Sequence, residues 1–284
     1  MSSASFFDWG LTWHLLGYAP TRRAVLAAAI LGLLSAALGP FIVQRRMSFA
    51  VHATSELAVT GAALALFLGG SLRLGSMFGA LAAGLVFGLL GLRAADRDIA
   101  SGVVLSFGLG LSVLLLNLRE GAATNLSSLL TGGLASVSND DLRLMAATAV
   151  VACLVVMCCG RPLWFASLDP FGAAAKGVPT RSLAVGFTVL VAAAAAIGMQ
   201  VVGALLVLAL MVAPAAAAAR LTASPRLGAV LAFVFAQLAA VGGVLLSLAP
   251  SWPPSALITT ICFLLYMGAR AVGFFRRRRF RAAG

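Results

Sequence analysis

LGAVLAFVFAQLAAVGGVLLSLA, residues 227–249, runs for 23 positions without a charge, and Gln237 is its only amide or acid side chain. A helix rises about 1.5 Å per residue, so about 20 apolar residues cross the roughly 30 Å hydrocarbon layer of a bilayer. AVLAAAILGLLSAALGPFIV (24–43) has the same character. The whole chain follows suit: 284 residues are 62% hydrophobic and 10% charged, with a mean hydropathy of +1.06. A soluble domain carries about 25% charged residues, so a water-soluble fold is excluded.

Apolar runs and their breaks give nine candidate spans, at 24–43, 50–70, 74–92, 99–118, 142–160, 183–199, 201–219, 227–249 and 255–275. The seam at Gly198–Gly203 is the weakest, so the expected fold is an all-α polytopic transmembrane bundle of eight to nine spans. An interfacial segment, 1–23, precedes it. Phe6, Phe7, Trp9, Trp13 and Tyr18 form its aromatic belt, and it lacks the basic start and cleavage site of a signal peptide. The transmembrane domain then covers 24–275, and 276–284 is a basic tail. Pro214 is expected to kink or break the seventh span. Glycines four apart, Gly75/Gly79 and Gly84/Gly88, are expected to bring helix backbones close together.

The net charge of +12 is spread between apolar segments rather than along one stripe, so it reports topology and not nucleic-acid binding. Cytoplasmic loops retain lysine and arginine. Assigning 44–49, 93–98, 161–182, 220–226 and the tail, with Arg270 counted beside it, to the cytoplasm puts fifteen of the twenty cationic residues there. The RRRRFR run (276–281) then meets anionic lipid. The N-terminus falls outside, against the vote of Arg22 and Arg23.

Cys153, Cys158, Cys159 and Cys262 all lie in apolar runs without CxxC or Cys/His spacing, which is the pattern of buried reduced thiols. Ser138–Asp141 and Asp96/Asp98 read as helix N-caps.

Ionisable groups inside a span are costly and mark function by default. One span holds two. In MSFAVHATSELAVTGAAL (47–64), His52 and Glu56 are four residues apart, which puts an imidazole and a carboxylate on one helical face about 6 Å apart in rise. Such a pair suits zinc well and manganese acceptably. A bracing ion pair fits the same spacing, so spacing alone leaves the choice open. HExxH metalloprotease chemistry is excluded, because the other histidine is His14. The sole lysine, Lys176, sits in AAAKGVP, so no P-loop is present and any ATP-driven work belongs to another polypeptide. No catalytic residue set is visible.

The stretch RRMSFAVHATSELAVTGAALALFLG resembles the second transmembrane segment of the metal-type ABC permeases, which import zinc, manganese or iron in bacteria. SSLLTGGLASVSNDDL (127–142), SLDPFGAAAKGVP (167–179) and MQVVGALLVLALMVAPAAAAARLT (199–222) are similar to that family too. The likeness covers about residues 24–270. It implies a permease subunit in the bacterial cytoplasmic membrane, working as a homodimer with two copies of an ATP-binding subunit and an extracytoplasmic metal-binding protein. The family's aspartate–histidine order is swapped here, and Thr60-Gly61 stands where the family has proline-glycine. The resemblance further implies that His52 and Glu56 line a dimer pathway for zinc, ahead of manganese, as cargo with no resident cofactor. Asp169, Ala173 and Gly177 match the loop that docks on the ATPase. Rival readings are a permease for a larger chelate such as haem, cobalamin or a siderophore, and a secondary transporter that needs no ATPase. A ligand pair in the span disfavours the first, and the lack of an inverted repeat disfavours the second.

Overall fold

The computed structural model describes residues 14–90, 94–118, 137–248 and 252–282. The described residues are helical with short connections: α1 (Ala19–Gln44), α2 (Ser48–Phe67), α3 (Leu72–Leu90), α4 (Ala94–Asn117), α5 (Asn139–Leu168), α6 (Pro170–Ala175), α7 (Thr180–Val202), α8 (Ala204–Leu221), α9 (Pro225–Leu248) and α10 (Pro254–Ala282). Each of the nine expected spans falls on one of these helices, within a few residues at most ends. Seven helices are long and apolar enough to cross a membrane; the apolar stretches Ser101–Leu115 of α4 and Leu206–Leu221 of α8 are shorter. The structure thus supports seven candidate spans where eight to nine were expected.

The α7–α8 break falls at Gly203, the last residue of the weak seam, where the backbone turns to φ 91°. Pro214 lies inside α8 without ending it. Met157, Phe107 and Phe263 are exposed by 59% or more. Lipid accommodates such large apolar side chains where water would not. Residues 1–13, the carboxylates of Asp96 and Asp98, most of 127–142 and the side chains of the tail lie outside the described residues.

The chain divides into two compact units. The first holds residues 1–43, 134–143 and 209–284. There Gln237, the lone amide of α9, donates through Nε2 to the Ala29 carbonyl at 3.0 Å, and Ser35 Oγ on α1 donates to the Leu210 carbonyl. These bonds satisfy polar groups that lipid could not. The start of α5 carries a capping box: Asp141 N donates to Ser138 Oγ at 3.2 Å, and Ser138 N donates to Asp141 Oδ2 at 3.1 Å. The sequence-expected cap is therefore present, with the reciprocal bonding that satisfies orphan donors.

The second unit, residues 44–133 and 144–208, is built around α2. Helix α3 packs antiparallel on it through Gly61, Gly75 and Gly79. A Cβ added at Gly61 would overlap the Gly75 carbonyl oxygen and come within 2.7 Å of Gly79 Cα. Gly84 and Gly88 meet α7 in the same way, against Ala192 and Val185. Close backbone approach replaces the hydrophobic drive that is missing between helices in lipid. Backbone atoms cannot step aside as a flexible side chain can. Gly61→Ala is therefore expected to lose about 1–3 kcal/mol of stability, the usual range for overpacking. Melting in detergent checks this, with Gly242→Ala as the control, since a Cβ there meets nothing within 4 Å.

Helix α4 runs parallel to α2. Phe49 lies nearest Gly102, Leu57 nearest Gly108, and Thr60 bonds Ser112, so the contacts advance together.

Candidate functional site

The polar content of α2 is concentrated on the face turned to α4. Phe49, His52, Glu56 and Thr60 follow one another at three- and four-residue steps, and the first and last of them touch α4. This periodicity is why one helix can carry a stripe of polar groups while the rest of its surface packs on α3 and α7.

Glu56 is buried, at 7% exposure. Among the described residues its carboxylate has no hydrogen bond and no ion pair; its backbone carbonyl accepts from Thr60 Oγ1 at 3.4 Å. His52 is half-buried, its ring 6.4 Å from that of Phe49, and its Nδ1 is buried without a hydrogen-bond partner. The bracing ion pair, one of the two readings the spacing left open, is not formed: among the described residues no His52–Glu56 ion pair lies within 4.0 Å. Two ionisable side chains are held together in an apolar span with their ligating atoms unused. An unsatisfied buried polar group costs about 1–3 kcal/mol, and more if charged.

The hydroxyls of α2 differ from this pair. Thr54 Oγ1 and Ser55 Oγ donate to the Val51 carbonyl at 2.8 and 3.1 Å, turning back on their own helix. Ser112 Oγ on α4 lies 2.9 Å from Thr60 Oγ1 and 2.8 Å from the Gly108 carbonyl, linking the two helices one turn beyond Glu56. This gives the Thr60-Gly61 departure a physical meaning: Thr60 supplies a hydroxyl to α4, while Gly61 supplies bare backbone to α3. Ser101 stands seven positions before Gly108 on the same face of α4. It is fully buried, and its Oγ also has no partner. Sequence reading did not single out Ser101 or Ser112. Serine in an apolar run is common, and their importance comes from facing α2, which no local pattern announces.

No group of three or more His, Cys, Asp or Glu able to hold a metal occurs among the described residues. His52 and Glu56 therefore offer two ligands, half of a tetrahedral zinc shell. All four cysteines are free, and Cys262 is buried.

The second predicted feature is the loop around α6. Asp169 is its N-cap, Oδ1 accepting from Gly172 N at 2.9 Å, with Pro170 in the first turn where its missing N–H costs nothing. Ala173 is fully buried beneath the helix. Gly177 takes φ 80°, and Val178 N returns to the Ala173 carbonyl at 3.0 Å; left-handed glycine past a helix end is the usual stop. The three pattern residues thus shape the element. The side chain it displays is Phe171, 87% exposed. An apolar residue between Pro170 and Gly172 in a polar loop was the available signal.

A polytopic helical bundle with an imidazole–carboxylate pair inside one span and a short, capped helix presenting a bare aromatic ring defines a membrane permease. The ABC 3 transport family model matches residues 17–273. The chain belongs to that family, the metal-type ABC transporter permeases. It is 32% identical over 237 residues to the zinc transport system membrane protein TroC of Treponema pallidum, covering 80% of this chain and 79% of that one. It is 26% identical over 271 residues to the manganese transport system membrane protein MntC of Halalkalibacterium halodurans, covering 95% and 90%. The fold is similar to that of PsaBC from Streptococcus pneumoniae in complex with Fab, with a TM-score of 0.79, 24% identity and coverage of 93% and 95%.

Proposed function

We propose that the chain is the membrane subunit of a bacterial ABC importer for divalent transition metal ions, with zinc favoured over manganese, in the cytoplasmic membrane. The observation that carries this reading is the His52–Glu56 pair, a half-buried imidazole and a buried carboxylate on one span, with His52 Nδ1 and the carboxylate unbonded among the described residues. Relatives are named for zinc and for manganese alike, and a borderline ligand set of one imidazole and one carboxylate serves both. The imidazole tips the balance to zinc.

Two copies of the chain would form the pathway. His52, the more exposed member, reaches the surface where a second copy or water completes the coordination shell; Glu56 sits behind it against α4. A four-ligand closed shell would trap zinc, whereas two ligands per chain hold it in transit. Binding requires neutral imidazole and ionised carboxylate, so protons oppose loading. Two copies of an ATP-binding subunit would engage the α6 loops from the cytoplasm, and an extracytoplasmic metal-binding protein would deliver the ion.

Radioactive zinc and manganese uptake, measured in a host lacking its own importers and supplied with the complete system, tests the proposal. ATP-dependent accumulation of zinc above manganese is expected. Accumulation of neither metal above cells lacking this chain overturns it.

A further inference from the structure

We infer that Arg45 is a positioning residue that links the docking helix α6 to the start of the metal-site helix α2. The inference rests on the reading that α6 engages an ATPase.

Three elements of the second unit meet on this one guanidinium. Arg45 Nε donates to Ser167 Oγ at 2.7 Å, and Arg45 Cζ lies 5.3 Å above the ring centre of Phe187 on α7. Ser167 Oγ in turn lies 2.5 Å from the Leu163 carbonyl, to which it donates. Its single proton is thus committed to its own helix, leaving a lone pair as the acceptor for arginine. A planar fork that both bonds and stacks is a role lysine cannot fill.

On one side of the link, α6 is clamped to the last turn of α5. Ser167 is two residues before the Asp169 cap, and Lys176, just past the helix, returns to lie 5.3 Å over the Phe165 ring. On the other side, Arg45 is two residues before Met47, the N-cap of α2, which is 1% exposed. Between them Arg46 takes φ 54°, left-handed for a residue with a Cβ. Such a conformation persists only where its surroundings over-determine it. The turn is therefore anchored at both ends, and a displacement of Ser167 passes to the first turn of α2, about one turn before His52 and two before Glu56, instead of being absorbed in slack chain.

The test uses the complete complex with its ATPase in sealed vesicles, reading ATP hydrolysis, metal carried per ATP, equilibrium metal binding and melting temperature. Arg45→Lys, Ser167→Ala and Phe187→Leu are each expected to keep hydrolysis and metal binding while metal carried per ATP falls by roughly 2–30-fold, the range for residues that couple distant sites. Arg45→Lys combined with Ser167→Ala should be no worse than Arg45→Lys alone, because both remove the same link. Unchanged metal per ATP in Arg45→Lys and Ser167→Ala overturns the inference and leaves the importer reading standing. A loss of transport that merely follows loss of folded protein in Arg45→Lys, with Ser167→Ala and Phe187→Leu unaffected, overturns it too. Absence of ATP-driven metal movement in the unsubstituted complex overturns the importer reading and this inference together.

Discussion

On the proposed reading, Glu56→Gln is expected to abolish most metal uptake while the protein accumulates normally in the membrane. The carboxylate is buried and makes no hydrogen bond among the described residues. Removing its charge therefore breaks nothing structural, and the near-isosteric amide even relieves the cost of a lone buried charge. What is lost is one of two ligands per chain. Altering groups that merely orient metal ligands costs roughly 10–100-fold in affinity or activity, so losing a ligand itself is expected to cost at least that much. His52→Ala should act alike, because its Nδ1, like the carboxylate, has no hydrogen-bond partner. Melting temperature separates the two explanations of the pair: as ligands their removal leaves stability unchanged or raised, whereas as a brace it lowers stability. Normal zinc and manganese uptake in both variants would remove the site.

On the proposed reading, in which the α6 loop engages an ATP-binding subunit, Phe171→Asp is expected to sever the chain from that subunit. The ring is 87% exposed at the tip of a six-residue helix, whose cap, underside and stop are already assigned to Asp169, Ala173 and Gly177. An aromatic anchor in a partner's pocket is the type of residue whose truncation costs about 2–4 kcal/mol, or roughly 30–1000-fold in affinity. A buried aspartate would cost more still. Because the side chain touches little of its own chain, membrane insertion and metal binding should persist while co-purification of the ATPase and ATP-driven uptake are lost. Undiminished co-purification would assign docking to another surface. Ala173→Leu makes an instructive contrast: it fills a fully buried position and should disrupt the loop itself.

The spans were legible in the sequence because hydrocarbon imposes length and composition so strictly. The nine apolar runs all fall on helices of the described residues, seven of which are long and apolar enough to cross a membrane, and the cap at Ser138–Asp141 was readable from four adjacent residues. The His52–Glu56 face was legible too, since it depends only on helical period. What escaped was non-local. Ser112 reaches Thr60 across 52 residues, and Arg45 reaches Ser167 across 122. In an apolar chain, a serine facing a partner helix and a serine facing lipid are written the same way. The loop around α6 was singled out by resemblance, but its pattern pointed to the residues that shape it and not to Phe171, which it presents.

The contact between Gly61 on α2 and Gly75 and Gly79 on α3 constrains how the site can work. Two helices seated main chain on main chain cannot roll about their own axes, because any residue with a side chain brought into the groove would collide. The ligand-bearing helix keeps a constant azimuth and is carried together with its glycine-lined neighbour as one body. On the proposed reading, opening and closing toward either side of the membrane would then come from tilting that body, with the ion meeting the same two ligands while access to them alternates.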